Sequence, residues 1–390
     1  MLSTVRSCLS YFRIGVRPQP LREAPPCSLD MVASPRATTA MPDGDFTVVV
    51  PTYNRAESLR ATLKALGDQV VPPELRWDIL VVDNNSRDHT PKVVKEFART
   101  ARTAVHYYFE ARAGKSRALN AGIARTSSDF LLFTDDDVLP SASWVASAAR
   151  VVALWEADGV GGRILLKWLA PPPRWLARNE EVQGNLGLMD FDEPKVLSGV
   201  VRNRPAVWGG NMGFRRTVLE SLGGFDPTLG PVGPKHSLGE DSDIVNRALA
   251  NGWRVVYEPS LLVWHTVAPG RMRKAYFWKW AFESGTVQAR NAASTPAPRI
   301  FGIPRWWYRS VAAAAVHCLV RSILLRHDAF DCQRELSHTL GWAWALARRC
   351  KQGGVVTRGT RKDKREERNE KVDGSSGRPV HRPANDGVET

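Results

Sequence analysis

Short apolar runs alternate with amphipathic helical patterns through the first half of the chain. Four apolar or β-branched runs predict strands, at 47–50, 78–82, 105–109 and 130–134. Three intervening segments carry apolar residues at helical spacing and predict helices, at 56–66, 91–98 and 116–124. Strands separated by helices of this length predict right-handed βαβ units, so we expect an α/β fold with a mainly parallel central sheet.

The second half of the chain has a less regular pattern. We predict strands at 160–166, 206–211, 253–257 and 261–264, helices at 143–155 and 217–222, and a further helix that follows residues 239–243 and ends at Asn251. The segment 167–204 includes three consecutive prolines and no clear period. A loop of that length in a compact region is typical of a lid or a substrate-binding insertion, and a partly helical excursion is the alternative.

Neither end of the chain has periodic apolar positions. Residues 1–44 are rich in Pro, Arg, Ser and Ala and predict a flexible leader, and residues 351–390 predict a disordered charged tail. Between them we expect an α/β domain at 45–270 and a helical extension at 271–350 that is rich in basic and aromatic residues.

The predicted strands of the first half end in polar residues. Thr52–Asn54, Asp83–Asn85 and Asp135–Asp137 follow three of them directly. Because the carboxyl ends of parallel strands meet at one edge of a sheet, these residues should line one crevice. Three adjacent carboxylates repel one another unless a cation or hydrogen-bond donors lie among them. On this pattern alone, a solvated acidic turn fits as well as a metal site.

Composition narrows the partners and the compartment. The chain has 54 basic and 40 acidic residues, a formal charge of +14, which favours anionic partners such as nucleotide diphosphates or acidic lipids. Zinc-finger spacing and RNP-like aromatic strands are missing, so we expect no nucleic-acid partner. Five scattered cysteines indicate a reducing compartment. The sequence contains no run of about 18 apolar residues, so we predict no membrane-spanning helix. We therefore expect a cytoplasmic protein, either free or bound peripherally to the cytoplasmic face of a membrane.

Six short motifs occur in order between residues 46 and 270. They are Val48–Arg55, Val81–Ser86, Gly114–Gly122, Thr134–Asp137, Gly223–Asp226 and Gly239–Asp241. Each motif is weak alone, but together they resemble the family 2 glycosyltransferases in order and approximate spacing. The resemblance implies the GT-A fold, which is Rossmann-like, together with a nucleotide-sugar donor, a divalent cation (Mn²⁺ or Mg²⁺) and inversion at the anomeric carbon.

The resemblance assigns the acidic motif to the diphosphate of the donor. A diphosphate leaving group develops negative charge, which a hard divalent cation with oxygen ligands stabilises. Asp137 is implied as a direct metal ligand, Asp135 as a residue near the ribose or the metal, and Asp136 as a supporting carboxylate. His265 follows an apolar strand where some GT-A enzymes supply a third metal ligand, and a hydrogen-bonded buried histidine is the alternative.

Other residues match family positions that contact the nucleotide sugar. They are Thr52, Tyr53, Arg55, Asp83, Lys115 and Arg117, with Asp135 and Asp136. Asp83 resembles the aspartate that binds the base or the ribose, and an Asx-turn is the alternative. Lys115 and Arg117 begin a predicted helix, where the helix N-terminus and cations both favour anions, and a solvated helix surface is the alternative.

Inverting transfer needs one general base beside the acceptor hydroxyl. The resemblance places this base at Asp241, with Glu240 as the second choice. The alternative is that both acids only favour the first turn of a helix. Part of the acceptor wall is expected from Trp208, Gly209, Gly210 and Asn211, because small residues let the backbone approach a sugar closely.

The chain departs from the processive members of the family. Those carry a Gln-x-x-Arg-Trp motif beside transmembrane helices, whereas Gln288 is followed here by Ala289, Arg290 and Asn291. Non-processive transfer to a glycan or a lipid-linked acceptor is implied. The cations and aromatic residues of 271–280 and 305–309 could lie on an anionic membrane, or they could pack against the core.

Two other classes of protein share parts of this pattern. A sugar nucleotidyltransferase has a similar early βαβ architecture, but it should carry a basic Gly-rich loop after the first strand, where this chain has Pro51–Arg55. A non-catalytic sugar-binding module of membrane surfaces needs no acidic cluster together with a separate Glu-Asp pair. The sequence therefore favours a glycosyltransferase over both.

Overall fold

A computed structural model describes residues 44–197, 207–232, 239–291, 299–300, 303–324 and 329–353. The predicted leader and tail lie almost wholly outside these ranges. In the first half, strands are β1 (Phe46–Thr52), β2 (Trp77–Asp83), β3 (Ala104–Phe109) and β4 (Phe130–Phe133). The connecting helices are α1 (Ala56–Gly67), α2 (Thr90–Ala98) and α3 (Lys115–Arg125). The alternation predicted from the sequence is therefore confirmed, with bounds that differ by one or two residues.

The later elements complete the sheet and surround it. The strands are β5 (Val138–Pro140), β6 (Gly159–Trp168), β7 (Lys195–Leu197), β8 (Met212–Arg215) and β9 (Val255–Val267). The helices are α4 (Trp144–Trp155), α5 (Arg174–Ala177), α6 (Glu180–Gly184), α7 (Arg216–Ser221) and α8 (Glu240–Ala250). Within the described residues these strands form a mixed, mostly parallel sheet in the order β3-β2-β1-β4-β8-β6-β9-β5, with β7 on β9.

Strand β1 lies in the middle of the parallel half and is buried on both faces. Val48 and Val50 pack with Leu59 on one side, whereas Val49 packs with Leu119 on the other. Alternate residues of a strand point to opposite faces, so a continuous apolar run is what a strand covered by helices on both sides requires. Helices on both faces thus hold β1 in position, and with it the polar residues that follow the end of the strand.

The strand predicted at 206–211 is wrong. Its described part is a turn closed by the Asn211 amide, which donates to the Trp208 carbonyl at 2.9 Å, and strand pairing with β4 starts only at Met212. The two strands predicted at 253–257 and 261–264 are instead one strand, β9. Its register with β6 shifts between Gly162 and Ile164, so a bulge joins the two apolar runs without a break.

The long insertion at 167–204 is partly helical, as the alternative interpretation had it. Beyond the end of β6 it contains α5 and α6, and Met189 pairs with Ile164 across an isolated bridge. Leu176, Val182 and Leu186 are fully or almost fully buried in a cluster with Phe277. The described part of the insertion is thus a packed wall; residues 198–204 lie outside the described ranges.

Three further helices follow the sheet: α9 (Lys274–Asn291), α10 (Arg305–Ile323) and α11 (Ala329–Gly353). Helices α9 and α11 cross at two glycines, because a Cβ atom built on Gly285 or Gly341 would overlap the backbone of the facing helix. Strands β10 (Arg299–Ile300) and β11 (Ile303–Pro304) form a short hairpin before α10. In the part of the chain that the structure describes, no helix is long and apolar enough to cross a membrane.

Candidate active site

A cleft of about 1170 Å³ opens at the carboxyl ends of β1, β2 and β4. Three walls surround it, and each comes from a different part of the chain. The first holds Thr52, Tyr53, Arg55, Asn84, Lys115 and the three aspartates; the second holds Trp208–Gly210 and Gly239–Asp243; the third holds Leu186, His265, Arg271, Tyr276 and Trp280. The polar strand ends therefore meet in one crevice, as the parallel sheet predicts.

Asp136 is tied to the end of β1. The Thr52 hydroxyl donates to its Oδ2 at 2.8 Å, and Arg55 Nη1 donates to its Oδ1 at 3.0 Å. Its side chain is buried, and burial raises the pKa of Asp136 to about 6, against the opposing effect of Arg55. Asp136 thus holds Arg55 in place.

Asp137 lies beside two arginines and a histidine. Its Oδ2 is 2.9 Å from Arg55 Nη1, 3.1 Å from Arg271 Nη2 and 3.5 Å from His265 Nε2. Burial acts to raise the pKa of Asp137, but its polar neighbours, with the guanidinium groups of Arg271 and Arg55 among them, outweigh it and keep this pKa below its ordinary value. The side chain is therefore an ionised carboxylate, the form that a cation or a cationic side chain binds.

Strand pairing explains why His265 lies beside Asp137 despite their distance in sequence. Strand β5 pairs antiparallel with β9, so Val138 lies opposite His265, and the Thr266 amide donates to the Asp137 carbonyl at 2.9 Å. His265 Nδ1 donates to the Leu186 carbonyl at 2.5 Å. Nε2 is then the unprotonated ring nitrogen, and it accepts from Arg271 Nη1 at 2.8 Å.

This arrangement bears on the predicted metal site. Asp137 Oδ2 and His265 Nε2 present two lone-pair donors to the same guanidinium group, so a cation already lies where they converge. Within the described ranges, no three His, Cys, Asp or Glu side chains are gathered as a metal-binding group. The chemistry of the pair fits a divalent cation that takes two protein ligands and completes its shell with phosphate and water oxygens.

Asp135 is engaged with Lys115 and not with Asp137 and His265, so its predicted place on the metal stays a prediction. Its Oδ1 binds Lys115 Nζ at 2.6 Å, and the same Nζ is 3.5 Å from Glu240 Oε1. Burial acts to lower the pKa of Lys115, but Asp135 and Glu240 outweigh it and raise this pKa above its ordinary value. Lys115 is therefore a fixed cation between the acidic motif and the start of α8.

Glu240 and Asp241 form the first turn of α8 and differ in their surroundings. Gly239 precedes them with φ of 106°, in the left-handed region that favours glycine. Glu240 is buried, and burial raises the pKa of Glu240 to about 7. Asp241 borders the cleft, where its Oδ2 accepts from the Gly209 amide at 3.2 Å and its Oδ1 accepts from the Ser242 amide at 2.7 Å. Asp241 is thus oriented toward the turn at 208–210.

Asn211 does not belong to the acceptor wall, and the structure corrects that prediction. The residue is fully buried beneath the cleft. Its Oδ1 accepts from Trp144 Nε1 at 2.8 Å, and its Nδ2 donates to the carbonyls of Arg163 at 3.0 Å and Leu261 at 2.7 Å. With every side-chain atom of Asn211 engaged, it fixes the turn from below, while Trp208, Gly209 and Gly210 line the cleft.

Two predicted donor contacts also lie away from the cleft wall. Asp83 is buried, with Oδ1 accepting from the Ser86 amide and Oδ2 from the Tyr107 hydroxyl, both at 2.8 Å. This is the turn interaction that was the alternative for Asp83, and its neighbour Asn84 lines the cleft instead. Arg117 is not among the lining residues either.

Sequence reasoning missed the part of the third wall that lies on the helical extension. Arg271, Tyr276 and Trp280 line the cleft, and Phe277 is fully buried behind them. These residues belong to the basic and aromatic stretch that was considered for membrane contact. Phe277 and Trp307 are instead packed in the protein interior, the alternative to membrane contact, and Trp307 on α10 is 7% exposed.

Comparisons with known proteins agree with this architecture. Residues 47–223 match the sequence model of Glycosyl transferase family 2, and residues 190–347 match that of Glycosyl transferase family group 2. The chain is 24% identical to Glycosyltransferase AglE of Haloferax volcanii, over 66% of this chain and 78% of AglE. It is 28% identical to the Pre-mycofactocin glycosyltransferase of Mycobacterium tuberculosis, over 67% of this chain and 51% of that protein.

A solved structure shares the fold. The mannosyltransferase PcManGT from Pyrobaculum calidifontis, in complex with GDP-Man and Mn²⁺, superposes with a TM-score of 0.52 at 21% identity, over 77% of this chain and 86% of that chain. The two sequence models together match residues 47–347, and all the residues that line the cleft fall within this range. The protein therefore has the GT-A fold, and its residues 47–223 belong to glycosyl transferase family 2.

Proposed function

We propose that this protein is a non-processive, inverting glycosyltransferase that moves one sugar from a nucleotide-sugar donor to a glycan or lipid-linked acceptor. The observation that carries the proposal is a single cleft with Asp137 and its cations on one side and Asp241 on another. A single displacement requires this separation, because the base and the leaving diphosphate act on opposite faces of the sugar.

The donor diphosphate is assigned to the side of Asp137, Arg55 and Arg271. We infer that Asp137 and His265 hold Mn²⁺ or Mg²⁺, which when bound stabilises the charge that develops on the diphosphate. PcManGT, which shares the fold, is in complex with GDP-Man and Mn²⁺. Arg55 and Lys115 add positive charge around the same space, which also stabilises the leaving group. Arg271 gives up its contacts with Asp137 and His265 when the cation binds.

Asp241 is assigned as the general base. Its carboxylate borders the cleft and accepts a hydrogen bond from the Gly209 amide, which orients it toward the turn that contains Trp208. Glu240 is the second candidate, because its side chain is buried and its Oε1 lies 3.5 Å from Lys115 Nζ. In this assignment Asp241 accepts the proton of the acceptor hydroxyl as that oxygen attacks the anomeric carbon.

Single-sugar transfer is supported at the third wall. Gln288 lines the cleft, but the residues that follow it do not complete the motif of the processive enzymes. The basic composition and the scattered cysteines support a cytoplasmic enzyme in peripheral contact with an anionic membrane.

The test is a panel of UDP-, GDP- and dTDP-sugars, incubated with the protein and Mn²⁺ or Mg²⁺. We expect slow donor hydrolysis with at least one donor, because water replaces the acceptor. Donor binding without turnover across the panel would favour a sugar-binding module. Formation of a nucleotide sugar from a nucleoside triphosphate and a sugar phosphate would favour a nucleotidyltransferase.

Asp241→Asn tests the base directly. We expect this variant to bind the donor as tightly as the wild type in calorimetry, yet to lose transfer by about a hundredfold or more. Asp192→Asn is the matched control, because the Asp192 side chain is fully exposed and it removes the same charge. Near-normal transfer by Asp241→Asn would move the base to another residue.

A further inference from the structure

Helix α10 exposes a continuous apolar stripe. Its members are Val316, Leu319, Val320 and Ile323, with Leu324 directly after the helix end, and their exposed fractions are 62%, 61%, 47%, 69% and 62%. They recur at intervals of three and four residues, so they lie on one face of the helix. We call these five residues the α10 stripe.

The opposite side of α10 is firmly packed. Trp307 and Cys318 are buried there, and Trp307 shares a cluster with Ala343 and Leu346 of α11. The helix is thus apolar on its packed side and on its exposed side, a pattern that normally accompanies burial on both. The described residues leave the α10 stripe without cover, and a contiguous apolar patch of this kind marks an interaction site.

The charges on α10 select the partner. The helix contains Arg305, Arg309, Arg321 and His317, and its sequence has no Asp or Glu. Arg305 and Arg309 are exposed, and Arg309 lies two turns before Val316 on the same face. Pairing of α10 with its counterpart in a second copy would bring arginines together without any carboxylate from this helix. An anionic lipid surface complements both features, because it accepts apolar side chains and attracts cations.

We propose that the α10 stripe docks the protein on an anionic lipid bilayer, with Arg305 and Arg309 at the headgroups. The surface keeps Arg305 and Arg309 from the segment that the sequence suggested, but its apolar part is the α10 stripe, since Phe277 and Trp307 are buried. Docking does not require the proposed transferase activity.

The stripe is mechanically connected to the cleft. Tyr276 and Trp280 of α9 line the cleft, α9 crosses α11 at the Gly285–Gly341 contact, and α11 packs on α10. Docking through α10 therefore holds the cleft at a fixed distance from the bilayer. Such docking gives the cleft access to a lipid-linked acceptor, a use that rests on the proposed function.

Vesicle flotation of the full chain tests the docking. We expect binding to vesicles of phosphatidylcholine with phosphatidylglycerol, and much less to phosphatidylcholine alone. Leu319→Gln with Ile323→Gln should weaken binding at least about tenfold, because two inserted apolar side chains are lost. Val70→Gln with Leu169→Gln is the matched control and should bind like the wild type, since both residues are exposed outside α10.

The electrostatic part has its own variant. Arg305→Gln with Arg309→Gln should lose most of the preference for anionic vesicles, and added salt should weaken wild-type binding in the same direction. Failure of the wild type to float, or equal flotation of the Leu319→Gln, Ile323→Gln variant, overturns the proposal. The proposal is also overturned if light scattering shows a wild-type dimer that this variant does not form, while the wild type does not bind vesicles.

Donor hydrolysis in solution separates this proposal from the proposed function. The Leu319→Gln, Ile323→Gln variant should hydrolyse a water-soluble donor at the wild-type rate, because the α10 stripe does not line the cleft. Loss of flotation with unchanged hydrolysis supports docking by α10. Absence of hydrolysis in the wild type would overturn the transferase proposal and leave the flotation result standing.

Discussion

Replacing Asn211 by Ala should destabilise the protein strongly, although the residue adjoins two glycines of the cleft wall. Asn211 is fully buried, and its side chain joins three separate segments through Trp144 Nε1 and the carbonyls of Arg163 and Leu261. The Ala side chain offers no hydrogen-bonding atom. One donor and two acceptors would then be left without this partner in the interior.

The magnitude follows from those three bonds. Each buried polar group left unpaired costs about 1–3 kcal/mol, so three groups amount to about 3–5 kcal/mol when the local structure relaxes in part. The cavity left by the removed amide adds to this cost. A loss of that size is a large share of the stability of a typical domain.

The assay is urea unfolding followed by tryptophan fluorescence, with Asn251→Ala as the matched control. Asn251 is exposed, and its side-chain amide donates to the Arg247 carbonyl within its own helix end, so its replacement should cost less than about 1 kcal/mol. If Asn211→Ala unfolds like the control but raises the KM for the acceptor, the residue is an acceptor contact and the reasoning from burial is refuted.

Two further changes test the site charges and the helix crossing. Because burial raises the pKa of Glu240 to about 7, above its unfolded value, wild-type stability should fall as the pH rises toward 7, and Glu240→Gln should gain about 3 kcal/mol relative to the wild type over that window. Urea unfolding between pH 5 and 8 measures this gain. A difference in free energy of unfolding between Glu240→Gln and the wild type that does not change with pH would contradict it. Glu110→Gln is the control and should show the same pH dependence as the wild type, because Arg112 lowers the pKa of Glu110 to about 2. Gly341→Ala should lower the thermal midpoint by the equivalent of about 1–3 kcal/mol, since its Cβ would overlap the α9 backbone. Gly270→Ala is the control and should leave the midpoint unchanged, because a Cβ at Gly270 has open space. Equal midpoints for the two variants would refute the close crossing.

The parallel half of the fold could be read from the sequence because its signals are local. The buried run of β1 and the leucines of α1 fix both elements whatever their neighbours are, and the structure agrees within two residues. The strand predicted at 206–211 failed for the opposite reason. Its apolar character belongs to a turn, and pairing with β4 places the real strand at Met212–Arg215.

The site was predictable where it follows strand ends and unpredictable where it depends on pairing across the sheet. Asp136 and Asp137 could be placed directly, since they follow β4. The ion pair of Lys115 with Asp135 joins two elements that are not adjacent in sequence, and Arg271 reaches Asp137 only because β9 pairs with β5. Such contacts depend on strand register, which a single sequence does not specify in this mixed part of the sheet.

The contribution of Asp137 to donor turnover is the most direct test of the proposed function. The measurement is the rate of nucleotide-sugar hydrolysis with Mn²⁺, for the wild type and for Asp137→Asn, which keeps the shape of the side chain. We predict that the variant loses at least about a hundredfold of the rate while its circular dichroism spectrum is unchanged, and that chelation of the cation abolishes wild-type turnover. Wild-type rates in the Asp137→Asn variant, or full turnover in the presence of a chelator, would contradict the account.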